Sequence, residues 1–145
     1  MKLKTLILFA LVFALFSFKS DKLKLNGTWK LVSQEYVRNG NHQMVIQDQL
    51  NGEQLKTWSD KYFMFVGKYV NGMQLQQSFG GGTYNLSGNV YSEDIQYHSS
   101  ASLRGRTMTL YLELKGDTLL QIFPTDANGY YDKDNCNIEK YIRAD

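Results

Sequence analysis

The sequence contains one cysteine, one proline and two histidines. It therefore has few of the residues that form disulfides and transition-metal sites. Cys136 alone cannot form a disulfide within the chain, and the fold is expected to hold together by its hydrophobic core. Without a cysteine pair or a histidine cluster, the sequence offers no transition-metal site. We therefore predict a protein that is not an enzyme and that has no metal or cofactor. Cys136 is interpreted as a small residue near a strand start, with an intermolecular disulfide as the alternative.

Runs of basic residues are also absent once the N-terminal segment is set aside. The chain has 16 Lys and Arg against 14 Asp and Glu, a net charge of +2. Residues 1–20 contain three lysines and no acid, so residues 21–145 have 13 basic against 14 acidic side chains, a net charge of −1. Since no cluster of Lys or Arg remains there, we predict no nucleic-acid partner.

The first 20 residues have the layout of a secretory signal peptide. Lys2 and Lys4 precede an apolar run over residues 6–18, which is short for a membrane span. Cleavage is expected after Ser20, with Ser17 as a rival site and an uncleaved membrane anchor as the alternative. We predict export to the periplasm or the extracellular space, no stable membrane insertion after the leader is removed, and one domain over residues 21–145.

Helical periodicity is scarce, whereas short alternating stretches separated by turns follow one another along the chain. Asn-Gly pairs at 39–40, 51–52 and 71–72 are strong hairpin signals. The clearest alternation places four apolar side chains on one strand face: Met108, Leu110, Leu112 and Leu114. Eight to ten such strands predict an all-β fold, either an up-and-down antiparallel barrel or a sandwich.

Two parts of the sequence resemble a known family of barrels. Gly27-Thr28-Trp29 and the strand after it resemble the first strand of lipocalin and fatty-acid-binding barrels. Residues 80–98 and 139–143 are similar to small secreted bacterial lipocalin-like proteins of unassigned function, within the calycin superfamily. The resemblance covers nearly all the chain after the leader. It implies a lipocalin-like antiparallel barrel of eight to ten strands rather than a sandwich.

Two local patterns have more than one interpretation. Residues 53–58 suit either a short helical lid or a strand, and the family pattern favours the strand. The three glycines at 80–82 are not followed by Gly-Lys-Ser/Thr or by a helix, so they do not match a phosphate-binding loop. They predict a sharp bend or a bulge in a barrel strand.

The candidate ligand site is the interior of the barrel, which can enclose one small molecule. Tyrosine dominates the aromatic residues after the leader, and its apolar ring with a hydroxyl suits an amphipathic ligand. Filling of the barrel by the same rings is an equal alternative. The aromatic residues assigned to the site are Trp29, Phe63, Phe65, Tyr84, Tyr91 and Tyr97. We predict non-covalent binding of a small apolar or amphipathic molecule.

Glu93 is the acidic member of the predicted site. It shares a strand face with Tyr91 and Tyr97, so we expect a buried carboxylate that needs a partner. Arg106 or an amine of the ligand would serve as that partner. If this face is instead turned outwards, Glu93 is a solvated charge.

Tyr141 and Arg143 complete the predicted site. They lie two residues apart and therefore share one face of the last strand. The lipocalin resemblance implies that Arg143 stacks on Trp29 at the closed end of the barrel. The fatty-acid-binding resemblance implies a Tyr and an Arg that hold a ligand carboxylate, although their order is reversed here. We favour stacking and keep carboxylate binding as the alternative.

The alternative function is an interaction module. If side chains fill the barrel, the polar loop over residues 125–137, with Tyr130 and Tyr131, would contact a protein or a glycan. An open lumen of ligand size favours small-molecule binding. A solid barrel with an exposed aromatic loop favours the interaction module.

Overall fold

The computed structural model describes residues 24–145, which form nine β-strands and one short 3-10 helix. The elements in chain order are β1 (Gly27–Arg38), β2 (Asn41–Gln47), β3 (Gly52–Trp58), β4 (Tyr62–Asn71), β5 (Gln74–Ser87), β6 (Val90–His98), the 3-10 helix (Ala101–Leu103), β7 (Thr107–Lys115), β8 (Thr118–Phe123) and β9 (Asn135–Arg143). The predicted signal peptide, residues 1–20, lies outside the described residues and stays a prediction. Within residues 24–145, no helix has the length and apolar character that a membrane crossing needs.

Eight of the strands close into an antiparallel barrel. From β3 to β9 each strand pairs with the next. β1 closes the ring, because it pairs with β9 along one edge and with β3 along the first part of the other edge. The rest of that second edge, Ser33 to Arg38, pairs with β2, which is an extra strand beside the barrel. The predicted antiparallel lipocalin-like barrel is confirmed, and nine strands fall within the predicted eight to ten.

The turns between strands follow the sequence signals. Asn39 and Gly40 both have positive φ, 50° and 73°, in the turn between β1 and β2, as expected of an Asn-Gly hairpin. Residues 53–58 belong to β3 and do not form a helical lid. The strand is preferred because both of its edges find hydrogen-bonding partners, in β1 and in β4.

The three glycines at 80–82 lie inside β5, where its pairing with β6 slips by one residue. The slip leaves Gln96 as an extra residue on β6. A Cβ atom at Gly82 would overlap the carbonyl oxygen of Asp94, so glycine alone allows this approach. The predicted bulge is confirmed, and it reverses which residues of β6 face inwards beyond this point.

Side chains fill the barrel interior completely at one end, which we call the closed end. Trp29 is fully buried there, and its indole N–H donates to the Leu25 carbonyl oxygen at 2.8 Å. Trp58 packs edge-on against the rings of Tyr91 and Tyr141, with ring centres 6.4 and 6.3 Å apart. Burial of such large apolar rings stabilises the barrel by roughly 2–3 kcal/mol each. Away from the closed end, the inward-facing side chains surround a cavity.

Candidate functional site

The lumen cavity has a volume of about 420 Å³, and every one of the nine strands contributes to its lining. This volume is within the lower range of small-molecule sites, about 300–1,000 Å³. The apolar part of the lining comprises Val45, Ile46, Phe65, Ile95, Leu103, Met108, Leu110 and Phe123. Four polar side chains form what we call the polar cluster: Lys56, Glu93, Gln121 and Glu139. The barrel is therefore not filled by its own aromatic side chains.

Lys56 and Glu93 form a desolvated ion pair inside the barrel. Lys56 lies on β3, and its ammonium donates to Glu93 Oε1 at 2.5 Å and to Gln121 Oε1 at 3.0 Å. The two charged side chains are only 3% and 7% exposed. The ammonium also lies 5.0 Å from the ring centre of Trp58, which adds cation–π attraction. These contacts account for the burial of a charge that would otherwise be strongly unfavourable.

Glu139 is buried on β9, next to this ion pair. Its Oε2 accepts hydrogen bonds from the Tyr141 hydroxyl at 2.7 Å and from Gln121 Nε2 at 3.1 Å. Its Oε1 accepts one from Gln34 Nε2 at 3.3 Å. None of these three donors carries a charge. Burial raises the pKa of Glu139, and the nearby charge of Lys56 offsets that rise only in part.

His98 also lines the cavity, and its surroundings favour the neutral ring. Burial lowers the pKa of His98 more than the charge of Glu93 raises it. Its Nδ1 accepts a hydrogen bond from the Ser100 backbone N–H at 2.9 Å, and its ring packs against Phe65 with centres 5.5 Å apart. Lys56, Glu93 and Glu139 are thus the charged groups of the lining, and together they carry a net charge of −1 when ionised.

Of the predicted site residues, Phe65, Glu93 and Tyr141 line the lumen cavity. Four others pack into the hydrophobic core away from the cavity lining: Trp29, Phe63, Tyr84 and Tyr91. The Tyr91 hydroxyl accepts a hydrogen bond from the Trp58 indole N–H at 2.7 Å, and the Tyr84 hydroxyl donates to the Ser59 carbonyl oxygen at 2.7 Å. These contacts stabilise the closed end of the barrel.

The prediction that Tyr97 shares a strand face with Tyr91 and Glu93 is wrong. Tyr97 points outwards and is 70% exposed, while His98 takes the inward position. The extra residue Gln96 causes the reversal, because a bulge shifts the alternation of every later residue in the strand. The bulge arises from the pairing of β6 with β5, which the pattern along β6 alone does not reveal.

Arg143 lies at the closed end and stacks on Trp29. Its guanidinium carbon is 4.4 Å from the centre of the indole ring. Its nitrogens donate to the carbonyl oxygens of Asn26 at 3.0 Å and Lys24 at 3.2 Å. The favoured prediction of a stacked Arg143 agrees with this geometry. The guanidinium is not among the groups that line the lumen cavity.

Sequence reasoning missed three members of the polar cluster: Lys56, Gln121 and Glu139. Glu139 lies two residues before Tyr141, so the same alternation could have placed it inside the barrel. Lys56 has the parity of Trp58, but the segment that contains both was ambiguous between helix and strand. Arg106, the expected partner of Glu93, is exposed, and Lys56 occupies that role.

A second concave surface, which we call the outer groove, lies on the outside of the barrel across β3 to β6. It has a volume of about 860 Å³. Its apolar side chains are Leu55, Tyr62, Met64, Val66, Phe79 and Tyr97. Gly81 also lines the groove, and a Cβ atom there would lie 2.8 Å from the Phe63 carbonyl oxygen, so the backbones of β4 and β5 approach closely at this point. Two of these strands, β3 and β6, therefore have a charged residue facing the lumen, Lys56 and Glu93, and apolar residues facing the groove.

Two further predictions concern the loop between β8 and β9 and the start of β9. Tyr130 is exposed, whereas Tyr131 packs against the ring of Tyr111 with centres 5.6 Å apart. Cys136 is the second residue of β9 and is buried, in agreement with its interpretation as a small residue near a strand start. Among residues 24–145, no group of three or more potential metal ligands is close enough to hold a metal ion.

No family model matches the sequence, and no curated protein matches it at a significant level. Among solved structures, the chain is similar to a lipocalin-like protein from Bacteroides uniformis, with 16% sequence identity and a TM-score of 0.49. That comparison covers 82% of this chain and 97% of the other. The pairing of β1 with β9 independently closes the ring of eight antiparallel strands. By this architecture, the chain has the lipocalin-like barrel fold.

Proposed function

We propose that the protein binds one small amphipathic molecule, non-covalently, in the lumen cavity. The observation that carries the proposal is a cavity of about 420 Å³ that side chains leave unfilled, with apolar walls and a buried polar cluster. Cavities of this kind bury most of a small ligand, while a few polar groups fix its orientation. The apolar part of the ligand would pack against Phe65, Ile95 and Leu110, and its polar end would meet the polar cluster.

The proposal describes a binding protein without a catalytic step, acting outside the cytoplasm after loss of its leader. The contacts of His98 support the first part. Its Nδ1 is occupied by the backbone N–H of Ser100, and among the described residues it has no hydrogen bond to a carboxylate that could orient it as a base. The composition of residues 1–20 supports the second part.

The interaction module remains the alternative function. The exposed Tyr130, 76% accessible, is the observation in its favour. The alternative was expected to accompany a barrel packed solid, and the lumen cavity is at odds with that condition. Small-molecule binding is therefore the proposal we favour.

The first test is native mass spectrometry of the protein purified after export from its own host, followed by organic extraction. We expect a stoichiometric small molecule, or, if the protein is isolated empty, binding of a fluorescent fatty-acid probe. An empty protein that also fails to bind the probe would contradict the proposal and favour the interaction module.

A pair of variants on β5 locates the bound molecule. Ser78 lines the lumen cavity, and the strand opposite it carries Gly67, so Ser78→Trp places a large ring in the lumen. Gln77 is the neighbouring residue on the opposite face, and Gln77→Trp is the matched control. We expect Ser78→Trp to weaken binding of the probe at least tenfold and Gln77→Trp to leave it unchanged. Equal effects of both variants would place the bound molecule outside the lumen.

A further inference from the structure

We infer that the preferred ligand has a cationic nitrogen, an amine or a guanidinium, which binds beside Glu139 in the polar cluster. The inference rests on the proposed function and adds the charge class of the ligand. It follows from how the charges of the polar cluster are paired: Lys56 has its partners within the protein, whereas Glu139 has no cation as a hydrogen-bond donor.

The ammonium of Lys56 is already engaged within the protein. An ammonium has three donors. Glu93 and Gln121 accept hydrogen bonds from it, and its remaining side faces the aromatic rings of Trp58 and Phe63, with ring centres 5.0 and 5.3 Å away. An anionic ligand would have to displace Glu93 from Lys56, which would leave a buried carboxylate without its cation.

Unlike Lys56, Glu139 has no oppositely charged group among its hydrogen-bond partners. An ionised carboxylate offers about four acceptor positions. Tyr141, Gln121 and Gln34 occupy three of them, and all three are neutral donors. When Glu139 is ionised, one of its acceptor positions is left, and no cation of the lining balances the negative charge of this form. A cationic head group would supply both the missing hydrogen bond and the missing charge.

The surroundings of Glu139 strengthen this preference. The carboxylate is buried but belongs to the lining of the lumen cavity, so a ligand can reach it. In a desolvated site, interactions between charges are much stronger than in water. A neutral alcohol could fill the hydrogen-bonding position without balancing the charge, and a carboxylate would face two carboxylates. The expected order of affinity is therefore amine, then alcohol, then acid.

The test uses three probes with the same eight-carbon chain: octylammonium, 1-octanol and octanoate. Their binding to the exported protein is measured by isothermal titration calorimetry at pH 7. We expect octylammonium to bind at least tenfold more tightly than 1-octanol, and octanoate to bind most weakly. Octanoate binding as tightly as octylammonium would overturn the inference and leave the proposed function standing. Failure of all three to bind, together with an empty protein from the host, would instead overturn the proposed function.

Two charge-neutralising variants identify the carboxylate responsible. Glu139→Gln keeps the shape of the side chain and an acceptor for Tyr141, and it should abolish the preference for octylammonium over 1-octanol. Glu53→Gln is the matched control, because Glu53 is 59% exposed and pairs with Lys68 on the outside at 3.0 Å. A preference that survives in Glu139→Gln would overturn the assignment to this residue. If Glu139→Gln does not fold, the order of the three probes on the unmodified protein still decides the inference.

Discussion

The lumen cavity and the outer groove are two concave surfaces of this barrel, and the lumen cavity, which is the more enclosed, has the more polar lining. The outer groove, at about 860 Å³, has twice the volume of the lumen cavity, about 420 Å³, and a largely apolar lining. The lumen contains an ion pair and a second carboxylate. Volume and apolar lining alone would favour the groove as the ligand site. Enclosure favours the lumen, because desolvated charges interact more strongly with a bound molecule.

Neighbouring residues of one strand show the origin of this difference. On β3, Leu55 points outwards and is 44% exposed, whereas Lys56 points inwards and is 3% exposed. An alternation of this kind normally directs the apolar residue inwards. The barrel tolerates the reversal because Glu93 and Gln121, from β6 and β8, supply hydrogen bonds to the buried ammonium. Burial of a polar side chain inside a barrel is tolerated when residues of other strands supply its hydrogen-bond partners.

The largest effect on stability is expected when the ion pair inside the barrel is broken, and an ion pair on the outside provides the comparison. Lys56→Met leaves Glu93 buried without its cation, and we expect the free energy of unfolding to fall by about 3–5 kcal/mol. Lys68→Met removes the exposed pair with Glu53 and should cost less than about 1 kcal/mol. Chemical denaturation at pH 7 measures both values. Equal losses of stability in the two variants would mean that the lumen is hydrated. The Lys56–Glu93 pair would then be no more desolvated than the exposed Lys68–Glu53 pair.

The second prediction concerns the pH dependence of stability. Because the pKa of Glu139 is raised, this carboxyl group is protonated in the folded protein and ionised in the unfolded chain between about pH 4.3, where an unfolded glutamate titrates, and that raised value. The free energy of unfolding contributed by Glu139 is therefore fully present below this window and is lost as the pH rises through it.

Glu139→Gln isolates this contribution. His98, whose pKa is lowered by burial, acts in the opposite sense near neutral pH, so the measured quantity is the difference between the variant and the unmodified protein. We expect the variant to gain stability relative to the unmodified protein as the pH rises above about 4.3. Parallel curves from denaturation at several pH values would show that Glu139 titrates normally.

A smaller effect is expected at the closed end. Arg143→Met keeps much of the packing on Trp29 but removes the cation–π contact and the hydrogen bonds to Asn26 and Lys24. We expect a loss of about 1–2 kcal/mol in the free energy of unfolding. Affinity for the octyl probes should not change, since Arg143 is not part of the cavity lining. A selective loss of octanoate binding would support the carboxylate-binding alternative.

The smallest effect is expected in the outer groove. Tyr97→Ala removes a side chain that is 70% exposed, so stability should change by no more than about 0.5 kcal/mol. Probe affinity should be unchanged, because the bulge at Gln96 turns Tyr97 away from the lumen. Calorimetry with octylammonium provides the measurement. A clear loss of affinity would indicate that the ligand binds in the outer groove and not in the lumen cavity.

Much of the fold could be predicted from local sequence patterns. The Asn39-Gly40 turn, the alternation of β7 and the inward position of Trp29 all agree with the structure. The stacking of Arg143 on Trp29 agrees with what the family resemblance implied. The residues of the candidate site were harder to predict from the sequence. Glu93 was placed correctly, but its partner Lys56 lies 37 residues earlier in the chain, in a segment whose alternation is reversed.

By itself, the sequence determined most of the strands, their turns and an irregularity at the glycines 80–82, because these depend on neighbours along the chain. Only the tertiary structure decided which side chains meet inside the barrel. Closure of β1 on β9 brings Glu139 beside Lys56 and Glu93, and the bulge at Gln96 exchanges Tyr97 for His98 in the lumen lining. Both outcomes depend on pairing between strands, and a period-two pattern within one strand does not encode its partner or an extra residue.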